Sequence, residues 1–168
     1  MSQFKSLLIA STWFQLIWFL AVVGSERWQW LALVCLLMTL ALSVKFHPLN
    51  WQKWGALTLF GVGVDMVNAS AGILIFNSFA IPLWLVVLWG MFMWYAQFLV
   101  PAVSRYPLIL VSLVGGIAGS LSYIAGYKLG AVQFGYSTLF TFFWFFLVWV
   151  MVTLLCVRSL NNEKPSDA

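Results

Sequence analysis

Charge, histidine and cysteine are scarce in this sequence of 168 residues. Only 7% of the residues are charged, with eight Lys and Arg against four Asp and Glu. The chain holds one histidine and two cysteines, whereas 64% of it is hydrophobic. Soluble domains are about 25% charged and roughly 45 to 50% apolar. The composition therefore excludes an ordinary soluble domain and predicts a membrane protein.

The missing residue types also exclude several kinds of functional site. The single histidine, His47, leaves no histidine-rich metal cluster and no catalytic triad at membrane depth. Cys35 and Cys156 belong to no Cys-x-x-Cys motif, so neither a disulfide nor a metal site is indicated. Phosphate-binding and dinucleotide motifs are absent, as is a basic patch for nucleic acid. We expect no metal, cofactor or nucleic-acid partner, and an enzyme is the less favoured class.

Long apolar runs predict an all-α integral membrane protein with six transmembrane helices. One crossing of the hydrocarbon core needs about 20 apolar residues, and runs free of Lys, Arg and Glu supply such segments. The predicted spans are about 6–23, 28–44, 54–76, 81–100, 108–126 and 137–157, followed by a cytoplasmic tail at 158–168. Because the connections are short, consecutive helices should be antiparallel neighbours in a single domain covering residues 1–168.

The distribution of Lys and Arg predicts the orientation of the bundle. If the N-terminus is inside, the external segments carry only Arg27 and Lys128, and the other six Lys and Arg are cytoplasmic. Cytoplasmic loops retain positive charge, so both termini are expected inside. Residues 1–24 could alternatively be a cleaved signal peptide. Their long stretch rich in Trp and Phe, without an Ala-x-Ala ending, favours an uncleaved first helix.

Polar residues inside the apolar spans are the candidate functional residues. Asp65 is the only ionisable side chain deep within a span, and such a carboxylate normally faces a bundle interior or marks a functional site. A rise of about 1.5 Å per residue brings Asp65, Asn68, Gln15, Ser122 and Tyr123 to one layer near the midplane. We therefore predict a polar cluster from the first, third and fifth helices, surrounded by the three more apolar even-numbered helices.

Small residues recur at helical spacing on the third and fifth spans. They are Gly61 and Gly72 on the third, and Gly115, Gly119 and Gly126 on the fifth. Such stripes allow helices to approach closely in membranes, so the two spans are expected to pack against each other. The aromatic run at residues 140–146 is expected to face lipid. No internal repeat of the kind found in many transporters is evident.

Two interpretations of the polar cluster remain open. In the first, Asp65 is a protonated structural group that hydrogen-bonds to Asn68, Gln15 or Tyr123. In the second, Asp65 carries a proton, an ion or a ligand. A sealed and fully hydrogen-bonded carboxyl would favour the structural role, whereas a water-accessible path to it would favour the carrier.

Several segments resemble an uncharacterised family of small proteobacterial inner-membrane proteins, a domain of unknown function. They are residues 119–131 (GSLSYIAGYKLGA), 13–19 (WFQLIWF), 81–89 (IPLWLVVLW) and the span that holds Gly61, Asp65 and Gly72. The resemblance implies a multi-pass protein of the bacterial inner (plasma) membrane. It also implies that the gene for this protein lies beside genes for enzymes that modify membrane fatty acids, including methyltransferases of the cyclopropane type.

The leading functional hypothesis is a non-enzymatic membrane component that binds lipid or assists membrane lipid modification. Its expected partners are membrane lipids and the enzymes that modify them. The alternative is a small proton-coupled transporter or carrier that uses Asp65. A path to this carboxyl from the surface would distinguish the two.

Overall fold

The structure is a computed structural model that describes residues 3–46, 49–77 and 81–161. Its elements are helices α1 (Gln3–Phe46), α2 (Trp51–Ser70), α3 (Leu83–Val103), α4 (Leu108–Lys128) and α5 (Thr138–Asn161), with strands β1 (Leu74–Ile75) and β2 (Gln133–Phe134). Helices dominate, as the apolar runs predict. Within the described chain, α1, α3, α4 and α5 are long and apolar enough to cross a membrane. His47 and the tail from residue 162 lie outside the described residues.

The 44-residue helix α1 reverses direction at Ser25. The backbone of Ser25 is non-helical, with φ 43° and ψ −129°. Along a straight helix, Trp13 and Thr39 would lie about 39 Å apart, yet Trp13 Nε1 donates a hydrogen bond of 2.8 Å to Thr39 Oγ1. The first half of α1 (residues 3–24) therefore folds back against the second half (residues 26–46).

Helix α3 lies at the centre of the bundle. It packs against α1, α2 and α5, and its large side chains Trp84, Trp89 and Met91 are buried. The expectation that this even-numbered span only surrounds the polar cluster was therefore wrong. A helix that is apolar on all faces suits either lipid or a protein core, so its composition did not decide between them.

Helices α2 and α4 end in the same backbone motif. A glycine with positive φ follows each helix, Gly72 (φ 70°) after α2 and Gly130 (φ 78°) after α4. The amide of Ile73 donates to the Asn68 carbonyl at 2.9 Å, and the equivalent bond after α4 has the same length. This is the Schellman motif, which needs the left-handed conformation that glycine adopts easily. Helix α2 consequently ends at Ser70, six residues before the end predicted for the third span.

The two motifs lead into strands β1 and β2, which pair antiparallel. The units α2-β1-α3 and α4-β2-α5 thus share one order of elements. Asp65 and Tyr123 are 58 residues apart, and Gly61 and Gly119 have the same separation. The two units therefore repeat one order of elements at a spacing of 58 residues, a regularity that the sequence analysis did not identify.

Candidate functional site

Asp65 lies on α2 at the centre of the bundle and has no exposed surface. The Tyr123 hydroxyl, from α4, lies 2.6 Å from Oδ1 and 2.8 Å from Oδ2 of Asp65. Trp89 Nε1, from α3, donates to Oδ2 at 2.7 Å. Two other helices therefore satisfy the carboxyl group, which matters because an unpaired carboxyl is costly to bury.

Aromatic stacking holds both partners of Asp65 in place. The ring of Tyr123 stacks on Phe145, with ring centroids 3.9 Å apart. The ring of Trp89 stacks on Trp149, with centroids 5.4 Å apart. Such pairs add about 0.5 to 1.5 kcal/mol beyond the burial of their area. Helix α5 supplies both stacking partners, so the site connects α2, α3, α4 and α5.

The buried Asn68 and the half-buried Ser122 of the predicted layer also bond to tryptophans. Asn68 Oδ1 accepts from Trp144 Nε1 at 2.7 Å, and Ser122 Oγ accepts from Trp18 Nε1 at 2.9 Å. The amide nitrogen of Asn68 donates to a backbone carbonyl within α2. Of the partners expected for Asp65, the structure places Tyr123 against it but not Asn68.

Tryptophan indoles are the polar groups that sequence analysis missed. Trp18, Trp89 and Trp144 each donate a hydrogen bond to a polar side chain of another helix. An indole is an apolar ring with one N–H donor, so a span that appears wholly apolar still supplies donors. The sequence feature that could have indicated these donors is its content of 11 tryptophans in 168 residues. Several of them lie at the same depth in their predicted spans as the polar residues.

The aromatic run at residues 140–146 does not simply face lipid. Phe140 and Phe143 are exposed, as expected for a lipid-facing surface. Thr141 and Phe145 have no exposed surface. The run therefore has an outer face and an inner face, and the inner face contributes to the site.

The glycine stripes of α2 and α4 meet tryptophan rings. A methyl group on Gly61 would overlap the ring of Trp89, and one on Gly119 would overlap the ring of Trp149. These two rings are the stacked pair described above. The expected direct packing of the third and fifth spans through their glycines was wrong, because the two rings occupy the space that the glycines leave.

The other three predicted glycines have separate roles. Gly115 packs against the side chain of Thr153, which a methyl group would overlap. Gly126 has room for a methyl group at an ordinary 3.7 Å from Val132, and Gly72 has open space around it. Of these three, only Gly115 must lack a side chain for packing.

A large groove runs along the bundle between the first half of α1 and α4. It has an empty volume of about 2000 Å³, part of it open to the surroundings, and α3 and α5 complete its walls. It extends from Leu110 on α4 to Leu129, the residue that follows α4, which is about 28 Å. Gln15 is exposed in this groove and makes none of the hydrogen bonds to Asp65, so its expected place in the cluster was wrong.

A smaller aromatic chamber adjoins the groove and reaches Tyr123. Trp18 and Trp149 line both the chamber and the groove, whereas Trp89 lines only the chamber. Asp65 lines neither space, because Tyr123 and Trp89 lie between its carboxyl and the chamber. Among the described residues, no group of three or more His, Cys, Asp and Glu lies close enough to hold a metal ion.

A family model matches most of the chain. Residues 7–155 match the family described as "Protein of unknown function (DUF2878)". No curated protein and no solved structure matches the chain significantly. The family match therefore identifies related sequences but does not assign an activity to the chain. The chain belongs to the DUF2878 family of proteins of unknown function.

Proposed function

We propose that this protein is a non-enzymatic lipid-binding protein of the bacterial inner membrane, and that the groove between the first half of α1 and α4 holds a lipid hydrocarbon chain. The groove is the observation that carries the proposal. Its length of about 28 Å approaches the hydrocarbon thickness of a bilayer, about 30 Å. A hydrocarbon chain is narrow and flexible, and can enter such an opening sideways from the membrane.

Short side chains on α4 make the groove deep. Thr153 and Trp149 fill the space beside Gly115 and Gly119, but the α4 wall of the groove also includes Ala118, Ser122 and Ala125. Bulky side chains at these positions would fill the space that a chain needs. The facing wall from α1 includes Phe14, Trp18 and Phe19, whose rings offer a large apolar contact area. The described lining contains no Asp, Glu, His, Lys or Arg, which suits a groove that holds a lipid without transforming it.

The cellular role that we propose is an accessory one in membrane lipid modification. A protein that holds one chain apart from the bilayer could present it to a lipid-modifying enzyme. The resemblance to proteins encoded beside fatty-acid-modifying enzymes supports this context. Membrane lipids and those enzymes are the partners that the proposal requires.

The alternative, a proton-coupled carrier based on Asp65, receives less support. Asp65 has no exposed surface, and its carboxyl bonds to both Tyr123 and Trp89. Neither the groove nor the chamber reaches it. A carrier must expose its proton site to water in turn from each side, so a sealed carboxyl favours a structural role.

We further propose six membrane crossings with both termini in the cytoplasm. The reversal at Ser25 would give α1 two crossings, and the 20 residues of α2 span about 30 Å. Lys45, Lys53 and Arg158 would then lie on the cytoplasmic side, as positive charge prefers. Reporters fused after Asn77 should be periplasmic, and those at the C-terminus cytoplasmic. A periplasmic C-terminal reporter would contradict this topology.

Lipid retention by the purified protein tests the groove. Val114 lines the groove and is 65% exposed, whereas its neighbour Leu113 is 42% exposed and lies outside the lining. We expect the wild-type protein to retain lipid in native mass spectrometry after delipidation in detergent. Val114→Trp should fill the groove and lose that lipid, and the matched control Leu113→Trp should retain it. Equal retention by the two variants, or none by the wild type, would reject the proposal.

A further inference from the structure

Each of the four helices that line the groove contributes a hydroxyl or amide side chain to its lining. These side chains are Gln15 from α1, Tyr95 from α3, Ser122 from α4 and Thr153 from α5, and we name them the polar band. They come from every helix that lines the groove. A ligand in the groove therefore meets polar groups whichever wall it touches.

The polar band has unused hydrogen-bonding capacity. Gln15 and Thr153 hydrogen-bond to no residue that the structure describes. The Ser122 hydroxyl accepts from Trp18, and the Tyr95 hydroxyl accepts from Ser11 at 3.2 Å. Neither of these two hydroxyls donates to a described acceptor. Unpaired polar groups in hydrocarbon are costly, so the band favours an occupant that can pair with them.

Two members of the polar band, Thr153 and Ser122, lie in the middle part of the groove. Thr153 packs against Gly115, and Ser122 is seven residues further along α4, which is about 10 Å. Both positions fall in the middle part of α4 (Leu108–Lys128). A lipid whose chain runs along the groove would have its headgroup at one end, too far away to pair with Thr153 or Ser122.

We infer that the groove selects a lipid chain that bears an oxygen-containing group, a hydroxyl or a carbonyl, near its middle. This inference rests on the proposed lipid-binding function and adds the chemical class of the chain. The Gln15 amide can donate to and accept from such a group, and Thr153 on the far wall can do the same. A plain hydrocarbon chain would leave both side chains unpaired.

Competition between two probes of equal length tests the selection. The probes are plain stearate and a stearate with a hydroxyl group at the middle of its chain, added to the purified protein in nanodiscs. One net hydrogen bond of about 1.4 kcal/mol corresponds to about a tenfold preference, so we expect the hydroxylated chain to bind about tenfold more tightly. The double variant Gln15→Leu/Thr153→Val should reduce this preference and still bind the plain chain.

The control is Thr12→Val, which removes an exposed hydroxyl already bonded to a backbone carbonyl of α1 and outside the groove. It should keep the wild-type preference. Equal affinities of the wild type for the two probes would overturn the selection and leave lipid binding intact, as would an undiminished preference in the double variant. Failure of the wild type to bind either probe would overturn both proposals.

Discussion

Replacing Asp65 tests whether the central hydrogen bonds hold the fold together. In Asp65→Leu, the Tyr123 hydroxyl and the Trp89 indole both lose their acceptor inside the bundle. A stranded buried donor costs about 1 to 3 kcal/mol, so the two together should lower the free energy of unfolding by about 2 to 6 kcal/mol.

Asp65→Asn should be far milder, because its amide can pair with both neighbours. Trp89 has only an N–H donor, and the new carbonyl oxygen can accept from it. Tyr123 can both donate and accept, so the new NH₂ group can donate to the Tyr123 oxygen. We expect a loss within about 1 kcal/mol. The comparison thus isolates hydrogen bonding from side-chain volume.

Equilibrium unfolding in mixed detergent micelles, followed by tryptophan fluorescence, measures these differences. The double variant Asp65→Leu/Tyr123→Phe should be less unstable than the sum of its two single variants, since it removes one of the stranded donors. Equal stability of Asp65→Leu and the wild type would refute the reasoning. If Asp65→Asn is as stable as the wild type but loses the protein's function in cells, the result would instead support the carrier.

Two further predictions concern packing and the course of α1. Gly61→Ala should destabilise the protein by about 1 to 3 kcal/mol because its methyl group overlaps the Trp89 ring, whereas Gly63→Ala, with nothing within 4 Å, should be neutral or stabilising in the same unfolding assay. Cysteines replacing Trp13 and Thr39, in a background without Cys35 and Cys156, should crosslink with a short bifunctional reagent. Absence of that crosslink would indicate a straight α1.

Helical structure was predictable because long apolar runs have few alternatives in a membrane. A backbone in hydrocarbon must satisfy its own hydrogen bonds, so runs such as residues 108–126 become helices, and α4 (Leu108–Lys128) follows that prediction closely. The end of α2 was placed six residues too late, because residues 71–76 are apolar enough to continue a span. The left-handed backbone of Gly72 ends the helix in spite of that apolarity.

The candidate site was predictable only in part, through the rarity of its polar residues. A single acid within a span points to a cluster, and counting residues brought Asp65 and Tyr123 to one level. The depth of a residue along a helix does not show in which direction its side chain points around the helix axis, or which helix lies next to it. Gln15 consequently lies in the groove, while Trp89, on a helix expected to face lipid, is a direct partner of Asp65.

The sequence by itself determined that the chain forms helices long and apolar enough to cross a membrane, and that few of its residues could do chemistry, because composition and run length act locally along the chain. Tertiary structure alone decided which apolar faces meet each other. The central place of α3, the wedging of Trp89 and Trp149 against Gly61 and Gly119, and the groove beside α4 all depend on how helices rotate and pack. Lipid and protein core are equally apolar surroundings, so hydrophobicity could not distinguish a buried face from a lipid-facing one.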